Sequence, residues 1–127
     1  MKRIYLFSGS LVVFLLLLTG CRSGVVYNVI EHPIETKHTQ DEVFNGIKKA
    51  GMSLGWNIKK VAEGEAIGKL ALRSHLAIVS IKYNANSYSI NYKNSTNLNY
   101  DAGKGTIHSN YNGWIQNLKN AIDVQLF

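Results

Sequence analysis

The sequence is poor in cysteine, proline and acidic residues: it has one cysteine, one proline, and 8 Asp or Glu against 14 Lys or Arg. A single cysteine excludes an internal disulfide framework and a zinc site built from several cysteines. The chain still has 46% hydrophobic and 10% aromatic residues, which excludes a disordered or collagen-like polypeptide. Its 127 residues suit one domain.

Long apolar runs are also scarce. A mainly apolar stretch, residues 4–18, whose unbroken core is residues 11–18, follows the basic residues Lys2 and Arg3 and ends at Thr19 and Gly20. A membrane-spanning helix needs about 20 consecutive apolar residues. A basic start, a shorter apolar core and small residues after it are instead typical of a secretory signal peptide. We therefore predict that residues 1–20 are a signal peptide.

The residues Leu18-Thr19-Gly20-Cys21 resemble a bacterial lipobox. In that motif, small residues let the signal peptidase approach, and the cysteine thiol receives a diacylglyceryl group before cleavage. We predict that Cys21 is lipidated, the alternative being an unmodified thiol near a conventional cleavage site. Two or three acyl chains hold a protein on a membrane, since each buried CH2 contributes about 0.8 kcal/mol.

The residue after the lipobox bears on location. In Gram-negative lipoproteins an Asp at this position favours retention in the inner membrane, and this chain has Arg22 there. We predict a lipid-anchored protein of the outer membrane on its periplasmic face, with the inner membrane as the alternative.

Positive charge is modest once the signal peptide is removed. Its loss takes away Lys2 and Arg3, so the charge falls below the +6 of the whole chain. The remaining cations stand singly or in pairs such as Lys48-Lys49, without the long basic run of a nucleic-acid tail. We predict no nucleic-acid partner, and at most weak attraction to anionic lipid or wall polymer.

The chain divides into three predicted parts. Residues 1–20 are the signal peptide, residues 21–38 are a lipidated N-terminus with a short strand and a tether, and residues 39–127 are a single α+β domain. The short strand is placed at Val25–Ile30, because these residues are β-branched or aromatic.

A first helix is predicted over residues 40–54. Thr39 and Glu42 have capping-box spacing, and apolar residues then recur at helical spacing. Gly55 can end the helix in the left-handed conformation, with Trp56 folding back as its hydrophobic contact.

A second helix is predicted from Ile107 onward, with Thr106 or Ser109 as its cap. One of its faces is apolar and is expected to pack on the sheet. This face consists of Tyr111, Trp114, Leu118, Ile122 and Leu126.

Strands are predicted between the helices, at residues 56–61, 66–73, 75–83 and 87–93, followed by a loop over 94–105. The turns between the strands are short and polar, so antiparallel hairpins are the economical connection. The expected fold is α+β, with an antiparallel sheet of three to five strands, residues 75–83 in its centre, and two helices packed on one face.

Four motifs carry a resemblance to a known family: Gly55-Trp56, RSHLA at 73–77, YSINY at 88–92 and IHSNYNGWIQNL at 107–118. With the lipobox, they resemble a family of small uncharacterised bacterial envelope lipoproteins. The resemblance implies a secreted, lipidated single domain, and it carries over no catalytic residue.

The histidines do not form a metal-binding pattern. His32, His38, His75 and His108 are far apart in sequence, without a His-x-x-x-His pair or a cysteine partner on one element. The sequence also lacks a nucleophile elbow and a phosphate-binding glycine loop. We predict no metal, no cofactor and no catalytic residues.

Polar and aromatic residues at predicted element ends form the candidate binding site. They are Arg73, His75, Ser95, Asn97, His108, Tyr111, Asn112 and Trp114. If the 94–105 loop folds over the start of the second helix, they line a shallow cleft suited to a sugar, a peptide or a protein segment. The alternative is that Tyr111 and Trp114 belong to the core and the polar groups satisfy loop amides.

The expected function is a membrane-anchored, non-enzymatic binding or structural module in the periplasm. Its partners would be the membrane, through the lipid on Cys21, and a periplasmic protein or cell-wall component. The alternative is an enzyme acting on envelope material such as cell-wall glycan or peptide.

Overall fold

The computed structural model describes residues 22–127. The predicted signal peptide and the predicted lipidation site, Cys21, lie outside the described residues. Within residues 22–127, neither helix combines the length and apolar character needed to cross a bilayer.

Two short strands open the described chain, β1 at Ser23–Val25 and β2 at Val29–Pro33. The single strand predicted over Val25–Ile30 is therefore wrong. The backbone between the two strands bonds to a side chain: Tyr27 N donates to Asn112 Oδ1 at 2.9 Å, and Asn112 Nδ2 donates to the Val25 carbonyl at 2.8 Å. These bonds replace strand pairing at this point, and the chain passes from one sheet to the other.

The first helix, α1, spans Gln40–Ser53, close to its prediction. The predicted capping box is confirmed: Glu42 N donates to Thr39 Oγ1, and Thr39 N donates to Glu42 Oε1. Gly55 follows with φ +89°, the left-handed conformation in which glycine carries no Cβ penalty. This turn brings Trp56 into the core, where it is buried.

The main sheet has five antiparallel strands in the order β2-β6-β5-β4-β3. The four later strands are β3 at Asn57–Ala62, β4 at Glu65–Leu72, β5 at His75–Tyr83 and β6 at Ser87–Thr96. The predicted hairpins and the central position of 75–83 are confirmed. β6 extends past the predicted Lys93, so the loop predicted over 94–105 begins later.

A third short strand, β7 at Thr106–His108, pairs with β1 in a separate two-stranded sheet. The second helix, α2, spans Ser109–Leu126 and starts later than predicted, because residues 106–108 are held extended by β1. Both predicted caps are wrong. The N-cap is His108, whose Nδ1 accepts from Asn110 N at 3.1 Å.

Both helices contact the same face of the sheet. Tyr83 of β5 and Tyr88 of β6 are directly paired and so lie on one face. Phe44 of α1 packs on Tyr83 at a ring distance of 5.8 Å, and Asp123 of α2 accepts a hydrogen bond from Tyr88. The apolar face of α2 is buried, apart from a half-buried Trp114. The protein is thus an α+β fold of two helices, a five-stranded antiparallel sheet and a two-stranded sheet.

Candidate functional site

The domain has two opposite ends along α2. One end, which we call the Arg22 end, contains Arg22, the start of α2, the β4–β5 turn and the β6–β7 loop. The opposite end, reached along α2, carries the end of β2, the start of α1 and the last residues of α2, and we call it the Phe127 end. The eight predicted site residues all lie at or near the Arg22 end, in three separate groups.

His75 and Asn97 form the first group, with Trp114 beside them. His75 Nδ1 lies 2.7 Å from the Asn97 carbonyl oxygen, and Asn97 Nδ2 donates to Ser74 Oγ at 2.7 Å. The rings of His75 and Trp114 are 6.2 Å apart. These contacts tie the β4–β5 turn to the end of β6. Arg73, at the tip of this turn, is exposed.

The second group is a stack of tyrosines around Ser95. Tyr92 stacks on Tyr100 at 4.2 Å and meets Tyr111 edge-on at 5.7 Å. A β-bulge between Tyr92 and Asn94 returns Ser95 to the face of Tyr92, so that Ser95 Oγ lies 2.8 Å from Tyr92 Oη. The sequence predicted Ser95 in a cleft, and the bulge instead places its hydroxyl against that of Tyr92.

Tyr111 is fully buried in this group. Its hydroxyl has no hydrogen-bond partner among residues 22–127. Burial raises the pKa of the Tyr111 phenol above its usual range, and the nearby Tyr92 adds to the effect. Tyr111 is therefore a neutral core residue.

Asn112 and His108 make up the third group, and both act on backbone. Asn112 bridges the linker between β1 and β2, and His108 caps α2. The predicted site residues thus share one end of the molecule but do not converge on one cleft. The polar atoms of His75, Asn97, His108 and Asn112 bond to turn, cap and linker groups, as in the alternative that the sequence left open.

A groove at the Phe127 end was missed from the sequence. It encloses about 250 Å³ between the segment after β2 and the last turn of α2. Its lining residues are His32, Pro33, Ile34, Glu35, Thr36, Asp123, Leu126 and Phe127. The walls are mostly apolar, and Phe127 is 95% exposed.

The carboxylate of Asp123 lies beside this groove. It accepts hydrogen bonds from Tyr88 Oη at 2.7 Å and from Lys119 Nζ at 3.0 Å, and His32 Nε2 lies 3.3 Å away. Burial, and then the bond to Asp123, raise the pKa of Tyr88 above its usual range. With three partners around its carboxylate, Asp123 holds β2, β6 and α2 together.

The segment from residue 34 to residue 38 closes the end of α2. Thr36 Oγ1 donates to the Leu126 carbonyl, and His38 Nε2 lies 2.9 Å from the same oxygen. Carbonyls in the last turn of a helix need such partners. The only sequence signals for this region are the i,i+4 spacing of Lys119 and Asp123 and the polar stretch after Pro33.

Neither the arrangement of possible metal ligands nor comparison with known proteins assigns a role to these residues. Residues 22–127 contain no group of three or more His, Cys, Asp or Glu side chains placed to hold a metal ion. The chain matches no protein-family model, no curated protein sequence and no solved structure. The resemblance to envelope lipoproteins therefore stays a prediction.

Proposed function

We propose that this chain is a lipid-anchored protein of the bacterial envelope whose domain is a non-enzymatic binding or structural module. The proposal starts from the lipobox-like residues Leu18 to Cys21. The proposed location is the outer membrane, on the periplasmic face, because Arg22 replaces the retention signal Asp.

The main structural support for the proposal is the set of contacts made by the first described residues. Ser109 N donates to the Arg22 carbonyl at 3.2 Å, and Ser23 pairs with His108. Because Arg22 is bonded directly to Cys21, the residue proposed to carry lipid is about 3.8 Å, Cα to Cα, from the first tied residue. An acylated Cys21 would hold the domain against the bilayer with almost no free linker.

The non-enzymatic part of the proposal is supported by the use of the polar side chains. His75, Asn97 and Asn112 are bonded to turn and linker groups, and Asp123 is surrounded by Tyr88, Lys119 and His32. A general base needs a reactive proton within hydrogen-bond reach in a substrate pose. These groups instead have partners within the domain, which suits a stable module that contacts a periplasmic protein or a cell-wall component.

Metabolic labelling with a clickable fatty acid tests the lipid anchor. Wild type is expected to be labelled and to sediment with membranes, whereas Cys21→Ser should be unlabelled. A matched control, Cys21→Ser with Ser23→Cys, keeps one thiol near its original place but removes it from the lipobox. Label on the control variant would indicate non-specific acylation, and equal label on Cys21→Ser would refute the proposal.

A further inference from the structure

Four contacts connect Arg73 to Arg22 across the Arg22 end. Asn97 Nδ2 donates to Ser74 Oγ in the β4–β5 turn, and His108 N donates to the Leu98 carbonyl at 2.8 Å. His108 pairs with Ser23, and Ser109 N bonds to Arg22. The turn tip, the β6–β7 loop and the first described residue therefore form one continuous surface.

This surface is basic. The exposed charged residues on it, or on the strand segments that lead to it, are Arg22, Lys69, Arg73, Lys93 and Lys104, with Asp101 as the acidic exception. The Asp101 carboxylate is engaged locally, since Oδ1 accepts from Lys104 N at 3.1 Å. Net positive charge is thus concentrated where the chain leaves toward Cys21.

At the Phe127 end, acidic residues outnumber basic ones. The acidic residues there are Glu35, Asp41, Glu42, Glu63, Glu65 and Asp123, and the basic ones are Lys37, Lys60, Lys82 and Lys119. Lys60 and Lys119 are paired with Glu63 and Asp123 at 3.2 and 3.0 Å. Exposed Lys48, Lys49, Lys59 and Glu31 belong to neither set. Acidic residues therefore outnumber basic ones at the Phe127 end, whereas basic residues predominate at the Arg22 end.

Exposed apolar side chains stand among the basic residues of the Arg22 end. Val25, Leu72 and Tyr100 are 76%, 44% and 42% exposed. Basic residues mixed with aliphatic and aromatic ones suit the boundary between lipid headgroups and acyl chains. At the Phe127 end, exposed Phe127 and Val124 instead lie near Asp123, whose carboxylate is paired with Lys119.

Arg73 has a backbone conformation that is uncommon for a residue other than glycine. Its φ is +57°, in the left-handed region where glycine is the residue of lowest steric cost. The turn nevertheless places an exposed arginine at its tip. The tip of this turn lies at the same end of the domain as Arg22.

From these observations we infer that the Arg22 end is a membrane-docking face for anionic phospholipid. This inference rests on the proposed anchor at Cys21 and adds an orientation for the domain. The basic face lies on the headgroups, α2 extends away from the membrane surface, and the groove beside Phe127 faces away from the bilayer. An α-helix rises about 1.5 Å per residue, so the 18 residues of α2 place that groove roughly 27 Å from the docking face.

Orientation is measured with full-chain lipidated protein in vesicles. A donor dye is attached to Leu72→Cys at the Arg22 end or to Val61→Cys at the Phe127 end, and energy transfer to an acceptor lipid is recorded. The vesicles are phosphatidylcholine alone or phosphatidylcholine mixed with phosphatidylglycerol. We expect stronger transfer from residue 72 than from residue 61 in the mixed vesicles, and a smaller difference in phosphatidylcholine or at high salt.

Charge variants test the named residues. Each basic residue near an anionic surface strengthens binding about fivefold, so Arg73→Glu with Lys104→Glu should lower the ratio of docked to undocked domain at least about 25-fold. Arg73→Lys with Lys104→Arg should retain docking, and Lys37→Glu with Lys82→Glu controls for net charge. Thermal unfolding of each variant checks that the domain is folded.

The outcomes separate the two proposals. Protein that fails to float with vesicles of either composition, or that carries no lipid by mass, would refute the anchor. Protein that floats with both but gives the same transfer from residue 72 regardless of lipid charge would overturn the docking face alone. A loss of transfer in the Lys37 and Lys82 control equal to that in the Arg73 and Lys104 variant would also overturn it.

Discussion

Tyr88 Oη donates a 2.7 Å hydrogen bond to Asp123 Oδ1, and this bond joins the start of β6 to the last turns of α2. The other fully buried tyrosine, Tyr111, has no such partner within residues 22–127. The two hydroxyls therefore differ in energetic role, although both belong to the same core. A bonded hydroxyl stabilises the fold, whereas a buried hydroxyl without a partner carries a desolvation cost.

We predict opposite effects for removal of these two hydroxyls. Tyr88→Phe should lower the free energy of unfolding by about 1 kcal/mol, because a hydrogen bond to a part-exposed carboxylate is lost. Tyr111→Phe, the matched control, should be neutral or stabilising. Urea unfolding of both variants measures the difference. Equal losses would show that Tyr111 also has a stabilising bond.

A second prediction concerns alkaline pH. Burial raises the pKa of both Tyr88 and Tyr111 above the ordinary value of 10.0. Above that pH the unfolded chain loses phenol protons that the folded protein keeps, so the free energy of unfolding falls as pH rises. Below it, both states hold these protons and the two tyrosines give no pH dependence.

The expected slope is about 1.4 kcal/mol per pH unit for each tyrosine in that alkaline window. Urea unfolding at a series of pH values gives the slope directly. Tyr111→Phe removes one of the phenols with a raised pKa, which also include Tyr83, and should make the slope shallower by about 1.4 kcal/mol per pH unit. A slope unchanged in Tyr111→Phe would contradict the assignment to Tyr111.

The third prediction compares two helical glycines. A Cβ on Gly51 of α1 would lie 2.5 Å from Ile58 Cγ1 and 3.3 Å from Trp56 Cβ, whereas a Cβ on Gly113 of α2 meets nothing within 4 Å. Gly51→Ala should cost about 1–3 kcal/mol through overpacking. Gly113→Ala should stabilise by about 0.5–1 kcal/mol, because alanine favours the helix. Thermal unfolding of the pair tests both signs, and stabilisation by Gly51→Ala would contradict the close approach of α1 to β3.

Elements with local signals were predictable from sequence. The capping box of Thr39 and Glu42, the glycine at 55 and the alternation of Tyr88, Ile90 and Tyr92 each depend on residues a few positions apart. Such signals place α1 and the central hairpins correctly, since the forces that form them act within one turn or one strand pair.

Elements that depend on distant contacts were not predictable. β1 and β7 exist because they pair with each other, and the break between β1 and β2 depends on Asn112, 85 residues from Tyr27. The same holds for the candidate sites. His75 and Asn97 were expected at one site because polar residues at element ends were grouped there. The contact of His32 with Asp123 instead depends on the packing of β2 against α2.

The last prediction concerns Asn112, which fixes the segment between β1 and the main sheet. Asn112→Ala leaves the Tyr27 N–H and the Val25 carbonyl without their side-chain partner. We expect a loss of about 1–2 kcal/mol in unfolding free energy, because water replaces these bonds only in part. Amide exchange in β1 should rise before exchange in the central strands, since local opening costs less than global unfolding.

The Asn112→Ala variant also distinguishes attachment of the protein to the membrane from orientation of the domain on it. β1 ties Arg22 to the domain, so opening it would turn the short connection after Cys21 into a flexible linker. Asn112→Ala should therefore remain lipidated and float with vesicles, while the difference in energy transfer between residues 72 and 61 decreases. Asn117→Ala, at an exposed position of the same helix, is the control and should leave both readouts unchanged. Asn112→Ala could instead keep the full difference in energy transfer although the amides of β1 exchange faster. That result would show that the basic face alone orients the domain and that β1 pairing does not contribute to the orientation.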